Sequence, residues 1–236
     1  MRNRIRFPML FQDCMRSTAI AEEPGMADEV TQVYINVLAP VAANYCANHN
    51  AMVAAQTKAA KKRAVKQEMV ASYDPVYRAA RAVVLAFEPT TALPDTLKSQ
   101  SNDTEILCAV TALAGAIKAH AGEEWADKLM AGRFGTLTPN VEAAINESIA
   151  ASIELKVARK QRAEAFGPAY QRFLAFKRVV RDTLGSSSAH YRMLHPRGAS
   201  KPVEIDEDEA APDSGVMPAS NGTLAQGNAP SQVKAG

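Results

Sequence analysis

The sequence predicts an all-α protein, an antiparallel bundle of about five helices followed by a disordered acidic C-terminal tail. Alanine, valine, leucine and isoleucine carry most of the apolar content, while aromatic residues make up only 6% of the 236 residues. Small aliphatic side chains at this density favour helix packed on helix over strands. Apolar residues recur at three- and four-residue spacing through most of the chain, and the connections between these stretches are short, which favours antiparallel neighbours.

Changes in composition divide the chain into three segments. Polar residues and Pro8 interrupt the apolar stretch near the N-terminus, which leaves it too short for a signal peptide. We expect residues 1–25 to be a disordered N-terminal extension instead. We expect residues 26–197 to form the helical bundle domain. Residues 198–236 hold six acids and two lysines and lose the apolar periodicity, which predicts a disordered acidic tail.

The first long helix is predicted to start at Ala27 and to run to about Ser72. Pro40 falls inside its apolar pattern, so the helix should kink there or restart with the proline in its first turn. The residues of the stripe before Ser72 are Val30, Val33, Tyr34, Val37, Leu38, Val41, Tyr45, Met52, Val53, Val65, Met69 and Val70.

Three proline dipeptides predict further helix boundaries. Asp74-Pro75 and Thr138-Pro139 each combine an N-cap residue with a proline at the first helical position, and Gly167-Pro168 should end one helix and open the next. Asn102 or Asp103 should cap another helix. The predicted inward residues of the later helices are Val76, Tyr77, Ala80, Val83, Val84 and Phe87; Ile106, Leu107, Val110, Leu113, Ala114 and Ile117; Trp125 and Leu129; and Tyr170, Phe173, Leu174, Val180 and Leu184.

One apolar series has a spacing that does not quite match the helix. Val141, Ile145, Ile149, Ile153 and Val157 recur every four residues. Because an α-helix has 3.6 residues per turn, such a stripe drifts slowly around the helix.

The cysteines and histidines do not suggest a metal site or a bound cofactor. Three cysteines are too few and too scattered for a disulfide framework, and Cys46 and Cys108 lie in apolar helical patterns, so we expect reduced core thiols in a cytoplasmic protein. Cys46 and His49 share a helical face, but zinc requires about four closely placed ligands. We expect the four histidines at the surface or its boundary.

No recognisable catalytic motif is present. Ser186, Ser187 and Ser188 stand beside His190, but serines after a helix-ending glycine more often form caps and turns than a nucleophile with an oriented base. The chain also has no glycine-rich phosphate-binding loop. We therefore expect no catalytic residues and no enzyme activity.

The basic clusters are the most distinctive surface feature. They could form a positive surface for an acidic partner, or simply a solvated helix face with acids such as Glu154 and Glu164 nearby. The acidic tail could also fold back on them or reach a neighbouring copy. The candidate contacts for an acidic partner or nucleic acid are Lys58, Lys61, Lys62, Arg63, Lys66, Lys156, Arg159, Lys160 and Arg162.

These observations predict a non-catalytic structural or interaction protein that self-associates or binds another protein through long, coiled-coil-like helices. A sequence-independent nucleic-acid-binding protein using the basic helix faces is the first alternative, and an enzyme of unknown class is the second. No stretch is apolar for long enough to cross a membrane, so a membrane partner is not expected.

Overall fold

A computed structural model of the chain describes residues 7–194, and these confirm the predicted all-α fold: the described part contains helices and turns and no strand. The acidic tail lies outside the described residues. The helices are α1 (Phe7–Ala21), α2 (Asp28–Val33), α3 (Ala39–Phe87), α4 (Asp103–Ala119), α5 (Glu124–Ala131), α6 (Arg133–Leu184) and α7 (Ala189–Met193), with a π-helical turn at Tyr34–Leu38 and a 3₁₀ turn at Leu97–Ser99.

Two very long helices, α3 and α6, form an antiparallel hairpin. Their contacts run in opposite directions along the chain: Tyr45 packs against Phe166, Lys58 bonds to Glu154, and the Tyr73 hydroxyl meets Thr138. At 1.5 Å per residue, the 52 residues of α6 extend roughly 78 Å.

Shorter helices cover the two ends of this hairpin, and the buried apolar residues form three core clusters. The α4 end is the core that α4 and α5 build against α3 and α6. The α1 end is the core that α1, α2 and the segment after α6 build against the same two helices. The middle seam contains only residues of α3 and α6. The largest buried side chains are Tyr73, Tyr77, Leu97, Leu113, Ile117 and Ile145 at the α4 end and Ile20, Leu38, Tyr45 and Phe176 at the α1 end; the middle seam is Met52, Ala55, Ala59, Ala151, Leu155 and Ala158.

The predicted helix boundaries at three proline dipeptides are wrong. Pro75, Pro139 and Pro168 all lie inside continuous helices. Asp74 does not cap a helix: it is buried, and its carboxylate accepts hydrogen bonds from the backbone N–H of Leu97 at 2.8 Å and from the hydroxyl of Thr96 at 2.6 Å.

Thr138 shows the same reversal of a predicted cap. Its hydroxyl donates to the carbonyl of Phe134 at 2.6 Å, one turn earlier in the same helix. Packing between helices therefore outweighs the local boundary signal, and the missing proline N–H is tolerated within a long packed helix.

Of the two outcomes predicted at Pro40, the structure shows the second, a proline in the first turn of a helix. The helix passes through a π turn at Tyr34–Leu38, and α3 then begins with Pro40 in its first turn. A proline in the first turn of a helix does not interrupt an existing hydrogen bond.

The expectation of a disordered N-terminal extension is wrong for its described part. Residues 7–21 form α1, and Leu10, Cys14 and Ile20 are buried at the α1 end. Their spacing places them on one helical face, which explains why polar residues can interrupt the apolar stretch. The Tyr45 hydroxyl donates to the carbonyl of Phe7 at 2.6 Å and fixes α1 to α3.

Several other local predictions are confirmed. The Asn102 side chain caps α4 by accepting the N–H of Glu105 at 2.9 Å, and Ser188 caps α7 through the N–H of Tyr191. In the stripe of α4, Leu107 is half-buried. The other predicted residues of that stripe are buried: Ile106, Val110, Leu113, Ala114 and Ile117.

Some predicted inward positions face solvent instead. Cys108, Leu174, Ile153 and Val157 are exposed, whereas His49, expected at the surface, is buried. The last two apolar positions of the drifting stripe have rotated away from α3 by the time the helix reaches its middle. Within residues 7–194, no helix combines the length and the apolar character that crossing a bilayer would require.

Candidate interaction surface on the long hairpin

The middle seam of the hairpin is built from small side chains. Ala55 and Ala59 of α3 meet Ala151 and Ala158 of α6, and all four are buried. Alanine at both sides of a helix contact allows the two backbones to approach closely. Charged side chains that flank the seam can therefore reach from one helix to the other.

Two of the predicted basic residues form ion pairs across this seam. The Lys58 ammonium lies 2.6 Å from the Glu154 carboxylate, and Lys62 lies 2.6 Å from Glu147. All four side chains are at least one-third exposed. Solvent weakens each pair, and its contribution to stability is on the order of 0.2–1 kcal/mol.

A third basic residue belongs to a more buried junction. The Lys66 ammonium lies 2.6 Å from Asp103, and these two side chains are 12% and 26% exposed. The Ser148 hydroxyl donates to the second oxygen of the same carboxylate at 2.8 Å. Asp103 is also the first residue of α4, where the helix dipole favours negative charge. The junction thus ties α3, α4 and α6 together.

The basic residues of α3 (58–66) and those of α6 (156–162) come together in the fold. Lys58 bonds to Glu154, which stands two residues before Lys156, so the clusters occupy neighbouring levels of the hairpin. Lys61 is exposed and Arg63 is half-buried. No acid among the described residues lies within 4.0 Å of the charged groups of Lys61, Arg63, Lys156 or Arg159.

Two predicted contact residues have other surroundings. Arg162 is only 3% exposed, and its guanidinium lies 4.2 Å from the centre of the Phe7 ring. It therefore helps to hold α1 and is not part of an open surface. Lys160 is exposed and lies 3.9 Å from Glu164, one turn away on the same helix.

The sequence prediction missed an apolar element of this surface. Ile153 and Val157 are 56% and 49% exposed, and they stand one turn apart on α6. Lys156 and Lys160 lie along one side of them, and Glu154 lies on the other. The four-residue drift of the stripe was the signal that could have placed these two residues outside the core.

A cluster at the α4 end was also missed. The His120 ring lies 2.7 Å from Glu123 through Nδ1 and 2.7 Å from Glu88 through Nε2. The hydrogen bonds to Glu123 and to Glu88 raise the pKa of His120, and bonding to His120 lowers the pKa of both carboxyls. Trp125 stacks on Phe87 with ring centres 4.7 Å apart beside this cluster.

Cys14 and Cys46 meet at the α1 end, although 32 positions separate them in the sequence. The hydrogen bond from the Cys14 thiol lowers the pKa of Cys46, while the same bond and burial raise the pKa of Cys14. No local pattern predicts this pairing, because it depends on how α1 packs on α3.

The other sites considered from the sequence have structural surroundings. His49 stacks on Phe11 with ring centres 4.7 Å apart, and Ser188 caps α7 while His190 lies 2.7 Å from Glu23. Within residues 7–194, no group of three or more histidine, cysteine, aspartate or glutamate side chains is placed to hold a metal ion.

Comparisons with known proteins do not assign the chain to a family. No protein-family model matches it. No curated protein and no solved structure matches it either. The surface in the middle of the hairpin therefore has to be interpreted from its own chemistry.

Proposed function

We propose that the chain is a non-catalytic interaction protein that self-associates through the outer face of α6. The observation that supports this is the exposure of Ile153 and Val157 beside Lys156 and Lys160. Adjacent exposed apolar side chains with charged residues at their rim are a feature of protein-interaction sites. We name this surface, Ile153, Lys156, Val157 and Lys160, the α6 face.

The partner that fits the α6 face combines apolar and acidic side chains. The chain carries one such segment itself, Val203–Glu209, in which Val203 and Ile205 alternate with acids and three further acids follow. The acidic segment of one copy would then bind the α6 face of another. Opposite charges favour encounter of the two, and buried apolar contacts would add most of the affinity.

The mass of the protein in solution tests whether the apolar residues of the α6 face, Ile153 and Val157, are needed for self-association. Sedimentation equilibrium should give an oligomer for the natural chain, and the double change Ile153→Glu with Val157→Glu should lower the mass to that of a monomer. The matched control is Leu174→Glu, a change at an exposed leucine of the same helix. It lies 21 residues, or about 30 Å, beyond Ile153. A natural chain that remains monomeric, or a control that dissociates equally, would contradict the proposal.

A charge exchange tests the acidic segment. Lys156→Glu with Lys160→Glu should weaken self-association, and adding Glu207→Lys, Asp208→Lys and Glu209→Lys to the same chain should restore it. Raising the salt concentration from about 0.1 M to 0.5 M should weaken the natural oligomer and the restored variant alike. Failure of the second set of changes to restore association would exclude this segment as the partner.

A nucleic acid remains the alternative partner for the same lysines. Lys61, Lys156 and Lys160 are exposed and could contact phosphates. The ion pairs of Lys58, Lys62 and Lys66 with acids of neighbouring helices reduce the positive charge that is available, which is why we favour a protein partner.

A charge reversal on α3 distinguishes a protein partner from a nucleic acid. Replacing Lys61, Lys62 and Arg63 with glutamate should leave the oligomer mass unchanged if the α6 face is the binding surface. If nucleic acid is the partner, the same change should abolish binding to a DNA duplex. In that case the logarithm of the binding constant of the natural chain should fall linearly with the logarithm of the salt concentration, with a slope near −0.9 for each phosphate contacted.

A further inference from the structure

Cys14 and Cys46 stand opposite each other where α1 packs on α3. One turn along each helix, Phe11 stacks on His49 with ring centres 4.7 Å apart. In an antiparallel pair of helices, moving three residues forward on one and three back on the other leads from this pair to Cys14 and Cys46. Both cysteines belong to the core of the α1 end: Cys14 is buried within it, and Cys46 packs against it.

The two thiols differ in access to solvent. Cys14 is 1% exposed, whereas Cys46 is half-buried. An attacking reagent therefore reaches Cys46 first, and Cys14 is held behind it as a second thiol. This is the arrangement of an attacking and a resolving cysteine. Cys108, the third cysteine, is exposed on α4 and belongs to the other end of the hairpin.

We propose that Cys14 and Cys46 form a reversible dithiol–disulfide pair that locks α1 onto α3 when the protein meets a small disulfide such as oxidised glutathione. The thiolate of Cys46 attacks one sulfur of the reagent, forms a mixed disulfide and releases one glutathione thiolate, which takes up a proton.

The resolving step completes the oxidation. Cys14 loses its proton to solvent, and its sulfur attacks the sulfur of Cys46 and displaces the second glutathione thiolate. Two protein thiols are oxidised to one disulfide, and one oxidised glutathione is reduced to two molecules of glutathione. A dithiol reductant reverses the exchange.

The lock would act on the helix that covers the α1 end. The rest of α1 is held by noncovalent contacts, such as the 2.6 Å hydrogen bond from Tyr45 to the carbonyl of Phe7 and the Arg162 guanidinium over the Phe7 ring. A covalent bond from the middle of α1 to α3 would close a loop of chain and restrict the unfolded state. Oxidation should therefore slow the release of α1 and raise the thermal stability of the protein.

The test uses the full chain with Cys108→Ser, which removes the exposed third thiol. Incubation with oxidised glutathione should lower the mass by about 2 Da without a stable mixed disulfide of about +305 Da. Digestion without reductant should release one peptide pair that joins Cys14 to Cys46. The melting temperature should rise, and cleavage within α1 by a protease should slow several-fold; both changes should reverse with dithiothreitol.

Single variants separate the proposed exchange from ordinary oxidation. Cys14→Ser in the Cys108→Ser background should stop at the mixed disulfide on Cys46, which shows that Cys14 is the resolving thiol. Cys46→Ser should remain unmodified at Cys14 while folded, as circular dichroism can verify. Accumulation of a mixed disulfide on the chain that retains both cysteines, or two alkylatable thiols after oxidation, would overturn the proposal.

Discussion

The ends of the α3–α6 hairpin and its middle are stabilised in different ways. At the α1 end, Phe166, Phe173 and Phe176 of α6 pack beneath additional helices, whereas the middle seam has six residues, four of them alanine, from α3 and α6 alone. Large apolar side chains need a third element to cover them, while small ones let two helices close on each other. The middle therefore buries less apolar surface and leaves its outer faces open.

The ion pairs follow the same division. Lys58 with Glu154 and Lys62 with Glu147 flank the alanine seam, where few large side chains are available for packing. Exposed pairs of this kind contribute little free energy, but they disfavour a shifted register of one long helix against the other. Strength at the ends and correct alignment in the middle thus come from different interactions.

Truncation of a large core residue should show the largest contrast between the regions. Phe173→Ala, at a residue 3% exposed, should lower the free energy of unfolding by about 3–5 kcal/mol, because it removes a ring that α1-end residues surround. Leu155→Ala in the middle seam should cost nearer 2 kcal/mol, the lower limit for buried leucine. Ile149→Ala should cost less again, since Ile149 is only half-buried. Urea unfolding measures all three, and equal losses for Phe173 and Leu155 would contradict the comparison.

Enlargement of a seam residue tests whether close approach is what the middle requires. Ala55→Leu should destabilise the protein by about 1–3 kcal/mol, because the added carbons force α3 and α6 apart. Ala54→Leu is the matched control: it lies next in the chain but is exposed, so its effect should stay within about 0.5 kcal/mol. Similar unfolding midpoints for the two variants would show that the seam has free space.

The sequence predicted much of the fold because helical periodicity is a local property. The stripe from Ile106 to Ile117 and the Asn102 cap were both correct, since each depends on residues within a few positions of one another. The boundary at Asp74-Pro75 failed because the bonds of Asp74 to Thr96 and Leu97 come from a distant loop. Local caps cannot reveal which tertiary partner will use the same side chain.

The candidate surface was predictable only in part for the same reason. Charge density marked the basic clusters, but the acids that neutralise Lys62 and Lys66 lie 85 and 37 positions away. The Cys14–Cys46 pair required knowledge that α1 belongs to the core. Polar residues interrupt the apolar stretch of α1, so the stretch was not predicted to be a core helix. The spacing of Leu10, Cys14 and Ile20 nevertheless places them on one helical face.

The smallest expected effect concerns a charged cluster at the edge of the α4 end. His120 connects the end of α4 to Glu88, the residue after α3, and to Glu123 at the start of α5. The pKa of His120 is raised above its ordinary value of 6.5, so protonated His120 stabilises the fold below that pH. This contribution is lost as the pH rises through the raised folded-state pKa.

The carboxyls of Glu88 and Glu123 determine the lower end of the pH range in which this cluster stabilises the fold. Hydrogen bonds to His120 lower the pKa of Glu88 and Glu123 below 4.5, so their contribution is present above that pH and is lost as the pH falls through their lowered values. The difference in melting temperature between the natural chain and His120→Gln should therefore be largest between about pH 5 and 6.5. The difference should shrink as the pH rises above 6.5 through the raised pKa of His120, because the histidine of the natural chain then also becomes neutral.

A second variant identifies the carboxylates as the cause. Glu88→Gln removes one of the two acids that favour protonation of His120, so the pH dependence of its melting temperature should be shallower than that of the natural chain. In the variant carrying both changes, the pH dependence from this cluster should disappear except for the remaining titration of Glu123. A difference between the natural chain and His120→Gln that is constant from pH 5 to about 8.5 would mean that His120 acts through packing on Trp125, 5.1 Å away, and not through its charge.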